Sequence, residues 1–273
     1  MSEKILFFTK NTLFLIFSFA VPKSVKGVLF SLVFFMFWNA YAQPTLYLIG
    51  DSTLADKKDP EVNPEHGWGQ VLPTYFNPPL RIENHAVNGR SSKSFFEEGR
   101  WEVILNQLKK GDFVLIQFGH NDAKIKDSTR FTNPATSYRN NLLRYVKETR
   151  SKRATPILAT AIVRRNFNED GVLVDTHGLY PIVVRMLAAD QTVALVDLQL
   201  HTEQLELEAG VEGSKKLHLH FEKGEHPYYP EGKIDNTHLS SYGAHRVAKA
   251  AVAEFQKLGL LTTYIKPISP IEE

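Results

Sequence analysis

The sequence predicts an α/β protein, with a parallel sheet covered by helices in a three-layer α/β/α arrangement. Beyond residue 43, short apolar runs of strand length alternate with longer amphipathic stretches of helical period. Strands joined by helices of that length form right-handed βαβ units, which lie parallel in one sheet. The chain has 273 residues, 43% hydrophobic and 23% charged, and no internal repeat, linker or low-complexity tract divides it. One globular domain, 43–273, behind a processed leader, 1–42, accounts for that length.

Each element has its own signal. Leu46 to Ile49 is the first strand, and Trp68 to Phe76 the first helix. A weaker strand, Arg81 to Val87, precedes a helix from Trp101 to Lys109 and a strand from Phe113 to Gln117. Asn133-Pro134 opens the helix Ala135 to Lys152, a capping side chain followed by proline where a missing N–H costs nothing. Ile157 to Ala161 is a strand, Leu179 to Ala189 a helix and Val193 to Val196 a strand. Gly210 to Asn236 has no regular pattern, and a loop that long in a compact domain is usually functional. Ser240 to Leu258 is a last amphipathic helix, ending near Gly259. The expected parallel sheet is flavodoxin-like in outline.

Composition excludes several functions. The formal net charge is +2, but Lys4, Lys10, Lys23 and Lys26 against Glu3 precede residue 43, so the remainder carries −1. Such a surface does not track phosphates, and no nucleic-acid partner is expected. The absence of cysteine removes a thiol nucleophile, a thiolate metal site and a disulfide framework. At the N-terminus, the apolar run Val28 to Trp38 follows Lys23 and Lys26 and ends in Ala40-Tyr41-Ala42, the small-x-small text of a signal-peptidase site. That run is short for a membrane span. Cleavage after Ala42, secretion or periplasmic delivery, and no stable span after processing are expected. A second apolar run, Leu13 to Val21, makes the leader long and leaves a later start codon or a retained anchor open.

Ligands of open parallel sheets bind beyond the carboxyl ends of the strands. Those ends carry Gly50-Asp51-Ser52-Thr53, Asn88-Gly89-Arg90-Ser91 and Gly119-His120-Asn121-Asp122, three turns expected along one rim. Taken alone, the first reads equally as a strand-to-helix turn with a capping side chain. Asp235-Asn236-Thr237-His238 sets a carboxylate and an imidazole three residues apart at a helix entrance, where they can share one side of a turn. By itself it is also a cap and an ordinary first-turn residue. Together the four stretches supply a hydroxyl to attack, a base oriented by a carboxylate, and donors for a developing oxyanion.

Ser52, Gly89, Asn121 and His238 fall in order on the four blocks for which SGNH hydrolases are named. The texts Ile49-Gly50-Asp51-Ser52-Thr53, Asn88-Gly89-Arg90-Ser91-Ser92, Phe118-Gly119-His120-Asn121-Asp122 and Tyr229 to His238 resemble rhamnogalacturonan acetylesterases and related pectin or xylan acetylesterases. The resemblance runs from Thr45 to Leu258, and the Gly-x-Ser-x-Gly elbow of ordinary α/β-hydrolases is absent. It implies the SGNH hydrolase fold and a serine esterase that removes acetyl groups from a polysaccharide, acetylated pectin or rhamnogalacturonan above all. It implies Ser52 as nucleophile, His238 as base and Asp235 as its partner. The oxyanion would be held by the backbone N–H groups of Ser52 and Gly89 and the side-chain amide of Asn121, with no cofactor. Alternatives are a lipolytic esterase or thioesterase, and a non-catalytic carbohydrate-binding protein on the same fold. The polar stretch His218 to Lys233 suits a carbohydrate better than an acyl chain.

Arg90 and Lys93, beside the oxyanion glycine, are candidates for binding acidic polymer, or else solvent-facing charge. Asp51, His120 and Asp122 are expected to brace the turns by local hydrogen bonds. His218, His220 and His226 form a histidine-rich stretch, but carboxylates are not interleaved as ligands, and no metal is expected. Trp68, Tyr228 and Tyr229 are aromatic candidates for a sugar site or for the core.

Overall fold

The computed structural model describes residues 8–9, 12–13 and 43–267. The expected leader lies outside the described residues except for an antiparallel pair, Phe8–Thr9 with Thr12–Leu13, and its cleavage point at Ala42 lies outside them altogether. The chain divides into two compact units, Met1–Gln43 and Pro44–Glu273.

The strands of the second unit are β1 (Thr45–Gly50), β2 (Glu65–His66), β3 (Arg81–Asn84), β4 (Phe113–Gln117), β5 (Thr155–Ala159), β6 (Ala194–Val196), β7 (His218–Phe221) and β8 (Lys233–Ser240). Five form a parallel sheet in the order β3-β1-β4-β5-β6. Successive side chains of β1 point to opposite faces. Leu46 and Leu48 join one core with Leu115 and Ile157, while Tyr47 and Ile49 join the other with Val114 and Leu158. Burial on both faces is why these strands read as continuous apolar runs.

The helices are α1 (Trp68–Val71), α2 (Ser92–Glu97), α3 (Arg100–Gln107), α4 (Arg139–Ser151), α5 (Leu179–Gln191), α6 (Leu198–Gly213) and α7 (Ser241–Lys257). Trp68 of α1 and Val247, Val252 and Phe255 of α7 fill the first core. Trp101 of α3, Tyr145 of α4 and Leu187 of α5 fill the second, completing the three layers. The helix expected over 68–76 tightens into a 3-10 turn at Leu72–Tyr75, where Pro73 has no N–H to give. Asn133 caps as expected, its Oδ1 accepting the Ala135 N–H at 3.1 Å, and Pro134–Tyr138 forms a π turn leading into α4.

The stretch 210–236 is not an irregular loop. It contains the end of α6, a 3-10 turn at Ser214–Leu217, β7 and the start of β8. With β2, these strands make a small antiparallel sheet ordered β2-β8-β7. Helix α6 buries Gln199, Thr202 and Glu206 as well as Leu198, so it carries no clean apolar stripe to be read. The short α2 is held by reciprocal caps: Ser91 Oγ accepts the Ser94 N–H at 3.1 Å, and Ser94 Oγ accepts the Ser91 N–H at 2.9 Å.

Two features of this topology place the site. From β1 the chain passes to β3 on one side and returns to β4 on the other, so the carboxyl end of β1 is the switch point where a crevice opens. In the small sheet Asp235 lies opposite Leu219 and Leu239 opposite His218, so Asn236, Thr237 and His238 bulge out between adjacent partners. The Asp-x-x-His pair therefore sits on a bulged strand rather than at a helix entrance. Helix α7 starts afterwards, with Ser240 Oγ accepting the Gly243 N–H at 3.0 Å.

Candidate active site

Ser52 lies two residues beyond β1, in that crevice. The strand ends in glycine because β4 passes close by: a Cβ on Gly50 would lie 2.5 Å from the Gln117 carbonyl oxygen. The following turn is closed by buried Asp51, whose Oδ1 accepts the Thr53 N–H at 3.0 Å and the Thr53 hydroxyl at 2.9 Å.

Ser52 Oγ is 2.9 Å from His238 Nε2, and His238 Nδ1 is 2.9 Å from Asp235 Oδ2. Asp235 Oδ1 accepts the main-chain N–H groups of Thr237 and His238, each at 2.9 Å, so one carboxylate both closes the bulge and orients the ring. Burial pushes the Asp235 carboxyl up. The hydrogen bonds from the His238 ring and main chain, its charge and the Thr237 N–H outweigh that and hold it well below the usual carboxylate range. An ionised Asp235 keeps the ring proton on Nδ1 and leaves Nε2 as acceptor for the Ser52 hydroxyl.

Gly89 and Asn121 line the same cleft of about 470 Å³ as Ser52 and His238. Gly89 holds φ +77°, a left-handed conformation that favours glycine. The Asn121 amide donates to Arg90 O at 3.1 Å and accepts from Arg130 Nη1 at 3.3 Å, which fixes its plane and leaves a second N–H for a ligand. The arrangement can therefore generate a nucleophile at Ser52 and offer hydrogen-bond donors beside it.

The polar neighbours brace the turns. Asp122 accepts the Ser92 N–H and hydroxyl and the Thr132 hydroxyl, tying the third turn to the second. Burial pushes its carboxyl up to about 6 against the pull of those hydrogen bonds. His120 Nδ1 lies 3.0 Å from His177 Nε2 in a buried pair. Burial drives both rings down, His120 well below its ordinary value and His177 to about 2, so the pair is neutral.

Two bracing groups gave no signal in the sequence. Lys57 reads there as surface charge beside Lys58 and Asp59, yet it is buried. Its Nζ donates to the Ser52 carbonyl oxygen and to Asn88 Oδ1, and pairs with Glu65 at 2.8 Å. It thus joins the serine turn, the glycine turn and the sheet that carries Asp235 and His238. The second is Glu206, 2.6 Å from His218 Nε2.

The histidine-rich stretch does not converge. His218 faces Glu206 and the His238 carbonyl, His220 Nε2 lies 2.7 Å from Asn236 Oδ1, and His226 Nδ1 accepts the Tyr228 N–H. Among the described residues no three His, Asp or Glu side chains are grouped to hold a metal ion. Arg90 pairs with Glu98 at 3.0 Å, and Lys93 donates to Ser128 O at 2.7 Å. Neither lines the cleft; the cations that do are Lys124 and Arg164. Trp68 is core, its Nε1 donating to Gln117 at 2.7 Å, and Tyr228 and Tyr229 lie with Phe221 and His226 in an aromatic cluster that does not line the cleft. A larger cleft of about 810 Å³, lined by Arg165, His220, Asn236 and Tyr242, contains none of Ser52, Asp235 or His238.

The family described as GDSL-like Lipase/Acylhydrolase matches residues 48–246. The chain is 40% identical over 215 residues to rhamnogalacturonan acetylesterase RhgT of Bacillus subtilis, covering 79% of this chain and 90% of that one. It is 35% identical over 223 residues to the probable rhamnogalacturonan acetylesterase YesY of the same organism, covering 80% of this chain and 95% of that one. Among solved structures, protein YxiM of Bacillus subtilis superposes with a TM-score of 0.68 at 26% identity, over 80% of this chain and 57% of that one. Axe2, an acetylxylan esterase from Geobacillus stearothermophilus, shares the fold with a TM-score of 0.56 at 21% identity, over 78% of this chain and 94% of that one.

Proposed function

The chain belongs to the GDSL-like lipase/acylhydrolase family of carboxylic ester hydrolases, and on that premise we propose that it removes O-acetyl groups from acetylated pectin or rhamnogalacturonan through an acyl-enzyme on Ser52. The observation that carries the chemistry is the unbroken chain from Ser52 Oγ through the His238 ring to Asp235, with both contacts at 2.9 Å. The substrate class rests on the relatives named rhamnogalacturonan acetylesterases and on a cleft walled by polar and charged side chains.

Ser52 Oγ attacks the acetyl carbonyl carbon while its proton passes to His238 Nε2. The carbonyl oxygen becomes an oxyanion, received by the N–H groups of Ser52 and Gly89 and the free amide N–H of Asn121. Asp235 stabilises the imidazolium. As the tetrahedral intermediate collapses, the C–O bond to the sugar breaks and His238 returns the proton to the sugar oxygen. Water then attacks the acetyl-serine with His238 again as base, releasing acetate and restoring Ser52. In this reading residues 1–42 are a leader cleaved after Ala42, which delivers the enzyme outside the cytoplasm to its polymer.

The test is acetate release from acetylated rhamnogalacturonan, homogalacturonan and xylan, measured side by side for the parent and Ser52→Ala. The expected result is preference for the pectic substrates and a loss of several orders of magnitude in the folded variant. Near-parental release by Ser52→Ala would remove the nucleophile, and preference for xylan would remove the pectic assignment.

A further inference from the structure

The catalytic scheme uses no lysine or arginine, yet one of each stands on the wall of the cleft beside Ser52, Asn121 and His238. Arg164 is partly buried and held in place: Nη1 donates to Thr176 Oγ1 at 2.9 Å and Nη2 reaches the His120 carbonyl oxygen at 3.3 Å. Lys124 is exposed at the rim. Among the described residues neither has a carboxylate at ion-pair distance. The acids nearby are engaged: Glu65 by Lys57, Asp235 by His238, and Asp175 by the N–H groups of His177 and Gly178. Asp51 is buried, with Oδ1 on Thr53 and Oδ2 without a hydrogen-bond partner, and acts on Arg164 through its field without reaching ion-pair distance.

A guanidinium fixed by its neighbours, partly desolvated and with no carboxylate at ion-pair distance, is prepared for a planar anion, since its remaining N–H groups match a carboxylate in pairs. A second cation at the rim adds attraction without demanding geometry. The like charges repel one another while the cleft is free, and an anion between them relieves that. A neutral sugar would leave the guanidinium unpaired in a cleft it helps to dehydrate, which is costly. We propose that Arg164 and Lys124 form a subsite for the carboxylate of a uronic acid residue, at or next to the acetylated sugar. This rests on the pectic reading above and names the groups that would discriminate within it. It replaces Arg90 and Lys93, whose side chains do not line the cleft.

Arg164 also holds the His120 carbonyl, so its loss can disturb the catalytic turn, and each variant is therefore read as a ratio. Acetylated galacturonate oligomers of one length are compared with the same oligomers methyl-esterified at the carboxyl groups. The parent is expected to favour the free acid in kcat/KM by roughly 10–100-fold. Lys124→Met, which sits where folding is least affected, and Arg164→Gln should bring that ratio toward one, chiefly through KM for the acid. Fully deacetylated oligogalacturonate should inhibit parental hydrolysis of a small acetate ester competitively, and less so in both variants. An unchanged ratio with equal losses on both oligomers would make Arg164 a support for the turn and overturn the proposal. A parent that is not inhibited by oligogalacturonate would overturn it too. If inhibition is present but the parent releases no acetate from pectic oligomers, the subsite stands and the proposed substrate falls.

Discussion

His218 Nδ1 lies 3.1 Å from the main-chain oxygen of His238, while its Nε2 lies 2.6 Å from Glu206 Oε1. Both ring nitrogens lie at hydrogen-bond distance from oxygen atoms, so the ring is held from two sides. The carbonyl that Nδ1 reaches belongs to the residue whose Nε2 must stay within reach of Ser52, on a bulge that the sheet ladder does not fix. His218→Gln should therefore lower kcat for a small acetate ester by about 10–100-fold, with KM little changed, because misplacing a base by an ångström costs about that much. A parental kcat would mean that the bulge keeps its place without His218.

Asp235→Asn replaces an acceptor with a group that can donate to Nδ1, which favours the wrong ring tautomer. A fall in kcat of about 10³–10⁴-fold is expected, with the fold intact by circular dichroism. The carboxyl is held below its ordinary range, so its contribution to stability is complete above about pH 4 and is lost only on strong acidification, through its lowered folded value. A loss of less than tenfold would leave His238 oriented by its backbone alone.

Asn121→Ala should reduce kcat by about 10²–10³-fold with little change in KM, as befits a donor used mainly in the transition state. The opposite split, a raised KM with kcat retained, would place the amide in ground-state binding.

Lys57→Met strips a donor from the Ser52 carbonyl, the Asn88 side chain and Glu65 at once. Removing the buried partner of this partly buried ion pair should cost about 2–3 kcal/mol of unfolding free energy. Turnover should fall with it, since the serine and glycine turns are no longer tied together. Urea denaturation and ester hydrolysis on one preparation test both, and stability within about 0.5 kcal/mol of the parent would show the lysine to be dispensable.

The parallel sheet and the three rim turns were legible because both are local: apolar runs mark strands buried on two faces, and the turn residues follow each strand directly. Asp235 and His238 were legible as a pair, but their setting was not, because a bulge depends on which residues of β7 lie opposite. Lys57 and Glu206 escaped for a related reason. Each is a charged residue in a polar stretch, and its burial comes from partners far away in sequence. Arg164 lies three residues past the strand expected over Ile157 to Ala161, with no motif to mark it. Only the order of the sheet brings it to the wall beside Ser52, whereas Arg90, adjacent in sequence to Gly89, turns to Glu98.

The buried His120–His177 pair makes a prediction about acid stability. His177 titrates near 6.5 when the chain is unfolded, but burial takes it down to about 2 in the fold, and His120 moves the same way. Below about pH 6.5 the unfolded chain binds protons at these rings and the folded chain does not, so acidification favours unfolding. His177 alone contributes a slope of about 1.4 kcal/mol per pH unit. Asp122 works in the opposite direction. Its carboxyl sits at about 6 in the fold and near 4 when unfolded, so between those values the folded chain holds the extra proton and acid stabilises it. Asp51, pushed up by burial, shares that sense. His177→Gln should therefore flatten the fall in stability between pH 6 and pH 4 by about one proton, and Asp122→Asn should steepen it. Urea midpoints at four pH values across that range decide the matter. Equal slopes in parent and His177→Gln would mean that the ring takes up its proton without leaving the fold.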